Sequence, residues 1–204
     1  ENIFNPATNS NFAYGDAIRW ILIDDNDKTI GRIAAFIDNR KLSHYKYPTG
    51  GCGFFECINN QEAANLLFNT AKEWLKNFGI SAMLGPVNFG ENFNYWGLLI
   101  DGFMPQAYGM QYNFPYYQKL FENYGFKNYF EQYSFHKLLS DGFPERMLKF
   151  AEFTEKRPGY TFEHFSYKRL DEFVGYFVDV YNTIWKAFHD NYDPLSPKDF
   201  RNLL

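Results

Sequence analysis

Residues 17–23 (Ala-Ile-Arg-Trp-Ile-Leu-Ile) form a β-branched, aromatic run that predicts a strand. A polar turn, Asp24-Asp25-Asn26-Asp27, separates it from a second such run over residues 29–37, so a hairpin is expected. A polar loop over 41–49 leads to a third predicted strand at 53–58. Asn59 and Glu62 then stand at capping-box spacing, and apolar residues return at Ala63, Leu67, Ala71, Trp74, Leu75 and Phe78. That spacing is one face of a helix, closed by Gly79 as a left-handed cap.

Residues 80–87 predict a fourth strand, in which Pro86 forces a bulge or splay because proline cannot donate to a ladder. The stretch 88–111 is rich in Gly, Asn and aromatic residues and lacks a strong period, as in a functional loop or irregular strand. Within it, Glu91-Asn92-Phe93-Asn94-Tyr95-Trp96-Gly97 suits either a substrate-recognition loop or rings laid over a sheet edge. Pro115, an apolar face of Tyr117, Leu120, Phe121 and Tyr124, and the terminal Gly125 predict a second helix. Alternation over 126–137 predicts a long strand.

Beyond Ser140-Asp141-Gly142 the pattern predicts a helix over 144–156 and a strand over 160–168. A long helix with a wide apolar face follows from Leu170 to Phe188, and Ser196-Pro197 opens a last one. Strands interleaved with helices imply an α/β (α+β) fold: a mixed, mostly antiparallel twisted sheet flanked by helices, with a helical C-terminal segment. Two domains are expected, over 1–139 and 140–204.

The chain has 204 residues, enough for one domain and part of another. Its 24 Phe and 16 Tyr demand a core built from rings and leave room for an aromatic ligand groove. A net charge of -4 and a pI near 5.6 argue against nucleic acid and anionic lipid as partners. No apolar run reaches the length of a membrane span, and the Asn-rich opening from Glu1 does not read as a signal peptide but as an internal start. A cytoplasmic protein is expected. Cys52 and Cys57 suit buried free thiols, on opposite faces if one regular strand carries both. The four acidic or amide residues at 24–27 read as a hairpin turn rather than a calcium loop, since the glycine and distant Glu of such a loop are missing. His44, His136, His164 and His189 have no ligand spacing, so no metal is expected.

Three local matches carry a family resemblance. The helix ending Ala71-Lys72-Glu73-Trp74-Leu75-Lys76-Asn77-Phe78-Gly79, the segment from Asn113 to Leu120-Phe121-Glu122-Asn123-Tyr124-Gly125-Phe126, and the strand-plus-helices order beyond Thr161 resemble the GNAT superfamily of acyl-CoA N-acyltransferases. The resemblance covers most of the chain, from the family's second strand onward. It implies a tandem arrangement: one domain without its beginning, then the start of a second. Alternatively, the trailing segment completes the first domain, directly or from a neighbouring chain, so a homo-oligomer is possible.

The resemblance further implies acetyl-CoA or another acyl-CoA as co-substrate, held by Cys57, Ile58, Asn59, Asn60, Gln61, Glu62, Ala63 and Asn113, with its pyrophosphate on the helix N-terminus. The family's turn there is Arg/Gln-x-x-Gly-x-Gly/Ala. In Ile58-Asn59-Asn60-Gln61-Glu62-Ala63 only Ala63 matches, and Gln61 stands where glycine is usual. Glu56 is implied as the base that deprotonates an amine. The family's acid tyrosine falls at Phe121, so Tyr116, Tyr117 or Tyr124 would substitute; Tyr117 and Tyr124 share the apolar face and are expected in the core, which makes Tyr116 the candidate acid. The expected activity is direct acyl transfer to a small-molecule or peptide amine. The alternatives are a catalytically inactive GNAT-fold module that binds a ligand or partner, and an aminoacyl-tRNA-dependent transferase.

Overall fold

The first three strands join because their exposed and inward residues match across every pair. In a computed structural model describing residues 2–42, 45–89, 97–107, 109–188 and 194–201, β1 (Gly15–Ile23) pairs antiparallel with β2 (Thr29–Asp38), which pairs antiparallel with β3 (Thr49–Cys57). The predicted hairpin turn forms, with the Asp24 carboxylate accepting from the Asn26 and Lys28 amides. A short β4 (Ala82–Leu84) pairs parallel with β3, giving a four-stranded mixed sheet in sequential order.

Helix α1 (Gln61–Lys76) crosses from β3 to β4 and buries Ala63, Ala64, Leu67, Phe68, Ala71 and Leu75 against the inner face of the sheet. Phe68 is the hub. It stacks on Phe55 at 4.8 Å and meets Phe121 edge-on at 4.7 Å. Phe121 belongs to α2 (Tyr117–Tyr124), which ends at Gly125 in the left-handed conformation, as the pattern predicts. The outer face is covered in part by Phe12, Phe36 and Phe89, with Phe89 meeting Phe12 at 5.0 Å and Phe36 at 5.4 Å.

Several expectations are corrected. The cap of α1 is Asn60, not Asn59: the Asn60 side chain accepts from the Ala63 amide. The strand predicted over 80–87 shrinks to three residues, since Pro86 has no amide N–H to give the ladder. Residues 126–137 and 160–168 alternate in character but form no strand, since no neighbouring strand pairs with them; Tyr129, Phe130, Tyr133, Phe135 and Phe162 stand exposed.

The two cysteines lie on one face rather than opposite faces. Phe54 adopts φ +48 and the β2–β3 register shifts beside it, so an extra residue restores the phase; Cys52 pairs with Ala35 and Cys57 with Gly31, both pointing into the core. The loop residues Glu91–Trp96, His44 and His189 lie outside the described residues.

The chain divides into two compact units, Glu1–Glu131 and Gln132–Leu204. The second contains α3 (Glu145–Glu155), α4 (Leu170–Phe188) and α5 (Pro197–Arg201). Within it Phe177 stacks on Phe200, and Arg201 pairs with Asp171, joining α4 to α5. No helix among the described residues is long and apolar enough to cross a membrane.

Candidate functional site

The bulge at Phe54 organises the end of β3. A bulky residue at positive φ is strained, and such strain is retained where the surroundings over-determine it. Here the Phe54 amide donates to the Asn88 Oδ1 at 2.9 Å, and its ring meets Phe4 edge-on at 5.0 Å. Beyond the bulge, Glu56 points to the outer face and Cys57 to the core. Glu56 is the registered partner of Arg32 and accepts from its guanidinium at 2.7 Å, both side chains being more than half exposed.

The other edge of β3, past the end of β4, is closed by side chains. The Cys57 amide donates to the Tyr117 hydroxyl at 3.1 Å, and the Cys57 carbonyl accepts from the Tyr116 hydroxyl at 2.9 Å. Both polar groups of Cys57 are therefore satisfied by two successive tyrosines at the start of α2. Burial raises the pKa of both phenols, with the Cys57 thiol adding to the effect at Tyr116, so both hydroxyls stay protonated at neutral pH. Phe121, at the position where the resemblance implies an acid, is buried among the core rings.

The start of α1 presents three backbone amides, those of Asn59, Gln61 and Glu62, that donate to no group among the described residues. The remaining amides of the turn are engaged: Ile58 donates to Ile30, Asn60 to Ile58, and Ala63 to the Asn60 side chain. Gln61 does not line this turn with its side chain. Its amide nitrogen donates to the Leu120 carbonyl and to Asn65, and its oxygen accepts from Asn123, so it ties α1 to α2. Beside the turn lies an open groove of about 290 Å³, lined by Leu22, Ile30, Ile58, Asn60, Glu62 and Leu66. Asn113 spends its side chain on Leu99, accepting from its amide at 2.7 Å and donating to its carbonyl at 3.1 Å. It acts as a loop clasp.

At Pro86, where a bulge or splay is expected, the chain leaves the ladder after Leu84 and returns to β3 at Val87. The Val87 amide donates to the Cys52 carbonyl at 2.8 Å, and a Cβ at Gly53 would collide with the Val87 carbonyl oxygen. The structure thus gathers Glu56, Cys57 and Tyr116 at one strand end, next to the amides of α1, and leaves Asn113 to the loop. Sequence reasoning misses Arg32, Asn88 and the role of the Tyr117 hydroxyl, though it puts the Tyr117 ring in the core. Arg32 was recoverable from the hairpin register, whereas the Tyr117 hydroxyl and Asn88 act on backbone groups whose positions only the fold sets. Among the described residues no His, Cys, Asp and Glu side chains gather as a metal site.

A stretch of 98 residues is 35% identical to Protein YghO of Escherichia coli (strain K12), covering 48% of this chain and 25% of that protein. The chain thus spans about a quarter of the length of the curated relative it matches. No protein-family model matches the chain, and no solved structure matches it.

Proposed function

We propose that the unit Glu1–Glu131 is a GNAT-like, cytoplasmic N-acyltransferase domain, moving an acyl group from acyl-CoA to an amine. The observation that carries this reading is the end of β3. An outward carboxylate, Glu56, and an edge hydroxyl, Tyr116, flank the same strand end, and the unengaged amides of α1 follow within a few residues. Those amides, of Asn59, Gln61 and Glu62, suit a pyrophosphate, because a helix N-terminus of this kind favours negative charge. Acyl-CoA supplies the activated acyl group.

In this reading Glu56 takes a proton from the acceptor ammonium, directly or through water, so that the nitrogen lone pair becomes available. Transfer forms the C–N bond and breaks the C–S bond; of the two protons the nitrogen gives up, one goes to solvent and the equivalent of the other protonates the thiolate. In this reading Tyr116, kept as a phenol by its surroundings, turns its hydroxyl from the Cys57 carbonyl to protonate that sulfur. Acyl-CoA-dependent thiol release with a panel of amines is the test. Glu56→Gln is expected to lower kcat at least 100-fold with an unchanged melting temperature, in the range general-base loss produces; undiminished turnover would remove Glu56 from the chemistry.

One observation favours a second reading, a non-catalytic ligand- or partner-binding module. The Cys57 amide and carbonyl, the groups of β3 left open by the end of β4, are already held by Tyr117 and Tyr116. Turnover with any acyl-CoA would rule this reading out.

A further inference from the structure

On the outer face of the sheet, Ile21, Arg32 and Glu56 form one cross-strand row, and Arg19, Ala34 and Gly53 form the next. Among the described residues, two guanidinium groups and one carboxylate therefore share this face. That carboxylate, Glu56, is taken by Arg32. Arg19 has no acidic partner among the described residues; its guanidinium lies over the Phe4 ring at 5.0 Å.

Asn88 borders the same area, touching the outer side of Gly53. It is only 7% exposed. Its side-chain oxygen accepts from the Phe54 amide, while its NH₂ group donates to nothing among the described residues. A buried donor without an acceptor is uncommon in native proteins and asks for a partner. Among the described residues the face thus has more donors than acceptors: Arg19 has no acidic partner, Arg32 has only Glu56, and the Asn88 NH₂ group has none.

We infer that this face binds an acceptor carrying a carboxylate beside its ammonium group, that is, a free amino acid rather than a plain amine. The inference rests on the N-acyltransferase reading for what becomes of the bound amine. A plain amine reaching Glu56 must separate it from Arg32 and leave a guanidinium unpaired. An amino acid exchanges partners instead: its carboxylate takes Arg32, with the fork geometry that guanidinium favours, and its ammonium takes Glu56. Both ligand groups sit on one carbon, which fits two side chains that are themselves in hydrogen-bond contact. Arg19, one cross-strand row away, adds a second guanidinium to the same face. Because the Arg32–Glu56 pair is exposed to solvent, little stability opposes the exchange.

The test is calorimetric binding to the full chain, without acyl-CoA, of the twenty amino acids. For the tightest of them, its carboxamide and its decarboxylated amine are measured alongside. The amino acid is expected to bind at least tenfold more tightly than either analogue. Arg32→Gln is expected to erase that preference while retaining a cooperative melt, and Arg32→Lys to restore part of it. No binding from the panel, equal affinity for the three related compounds, or a preference that survives Arg32→Gln would overturn the inference. Selective binding of the amino acid with no acylated product detected by mass spectrometry would leave the binding site standing and defeat the transferase reading.

Discussion

At the scale of single residues, the bulge at Phe54 explains what the alternation alone misassigned. Counting along a regular strand sends Cys52 and Cys57 to opposite faces, but one residue at φ +48 returns both to the core. Nothing in the residue type announces this, because phenylalanine is a poor choice for that backbone region. Burial pushes the Cys52 thiol from its ordinary value of 9.0 up to about 12. A raised value means the folded state holds the proton more tightly. The associated stability, on the order of 4 kcal/mol for three pH units, is complete below pH 9.0 and is lost as pH climbs toward about 12. Thermal melts are expected to fall across that window, and Cys52→Ala to flatten the decline; an unchanged alkaline profile in that variant would contradict the burial argument. Gly53 offers a second test. A methyl group there meets the Val87 carbonyl oxygen and Asn88 Oδ1, so Gly53→Ala is expected to cost about 1–3 kcal/mol, read from denaturant unfolding.

At the scale of elements, α1 was the most legible part of the chain because its apolar period continues over four turns and its cap is a side chain. Even so, the cap is Asn60 and not its neighbour, a shift of one residue that sequence could not resolve between two asparagines. Asn60→Ala is expected to cost about 1 kcal/mol by circular-dichroism melts, whereas Asn59→Ala is expected to be near neutral. The strands predicted over 126–137 and 160–168 show the opposite case. Their alternation is real, but a strand exists only through its neighbour, and pattern says nothing about whether one is present. The junction of β3 with α2 is legible in part: spacing brings out Tyr116, whereas the apolar face of the helix points only to a core role for the Tyr117 ring. Its ring is indeed buried, while its hydroxyl holds the Cys57 amide. Tyr117→Phe would strand that buried amide, at an expected cost of about 1–3 kcal/mol.

At the scale of the whole molecule, the two units differ in how completely they bury their apolar residues. In Glu1–Glu131 the sheet and two helices enclose a ring-filled core, whereas among the described residues of Gln132–Leu204 only Val174 and Val178 are buried. Phe150, Phe153, Tyr167 and Phe188 remain exposed in the second unit. Contiguous exposed apolar surface binds hydrophobic dyes. The full chain is therefore expected to bind anilinonaphthalene sulfonate, and a chain cut after Glu131 to lose most of that signal while keeping a cooperative melt. Persistence of the signal in the shortened chain would place the apolar surface in the first unit instead.

Calorimetric titration of acetyl-CoA and CoA into the full chain tests the acyltransferase reading most directly. The account expects micromolar binding of both, with the unengaged amides of Asn59, Gln61 and Glu62 holding the pyrophosphate. No heat with acetyl-CoA, CoA or a long-chain acyl-CoA would contradict it, and would mean that the two tyrosines on Cys57 close this strand end for good.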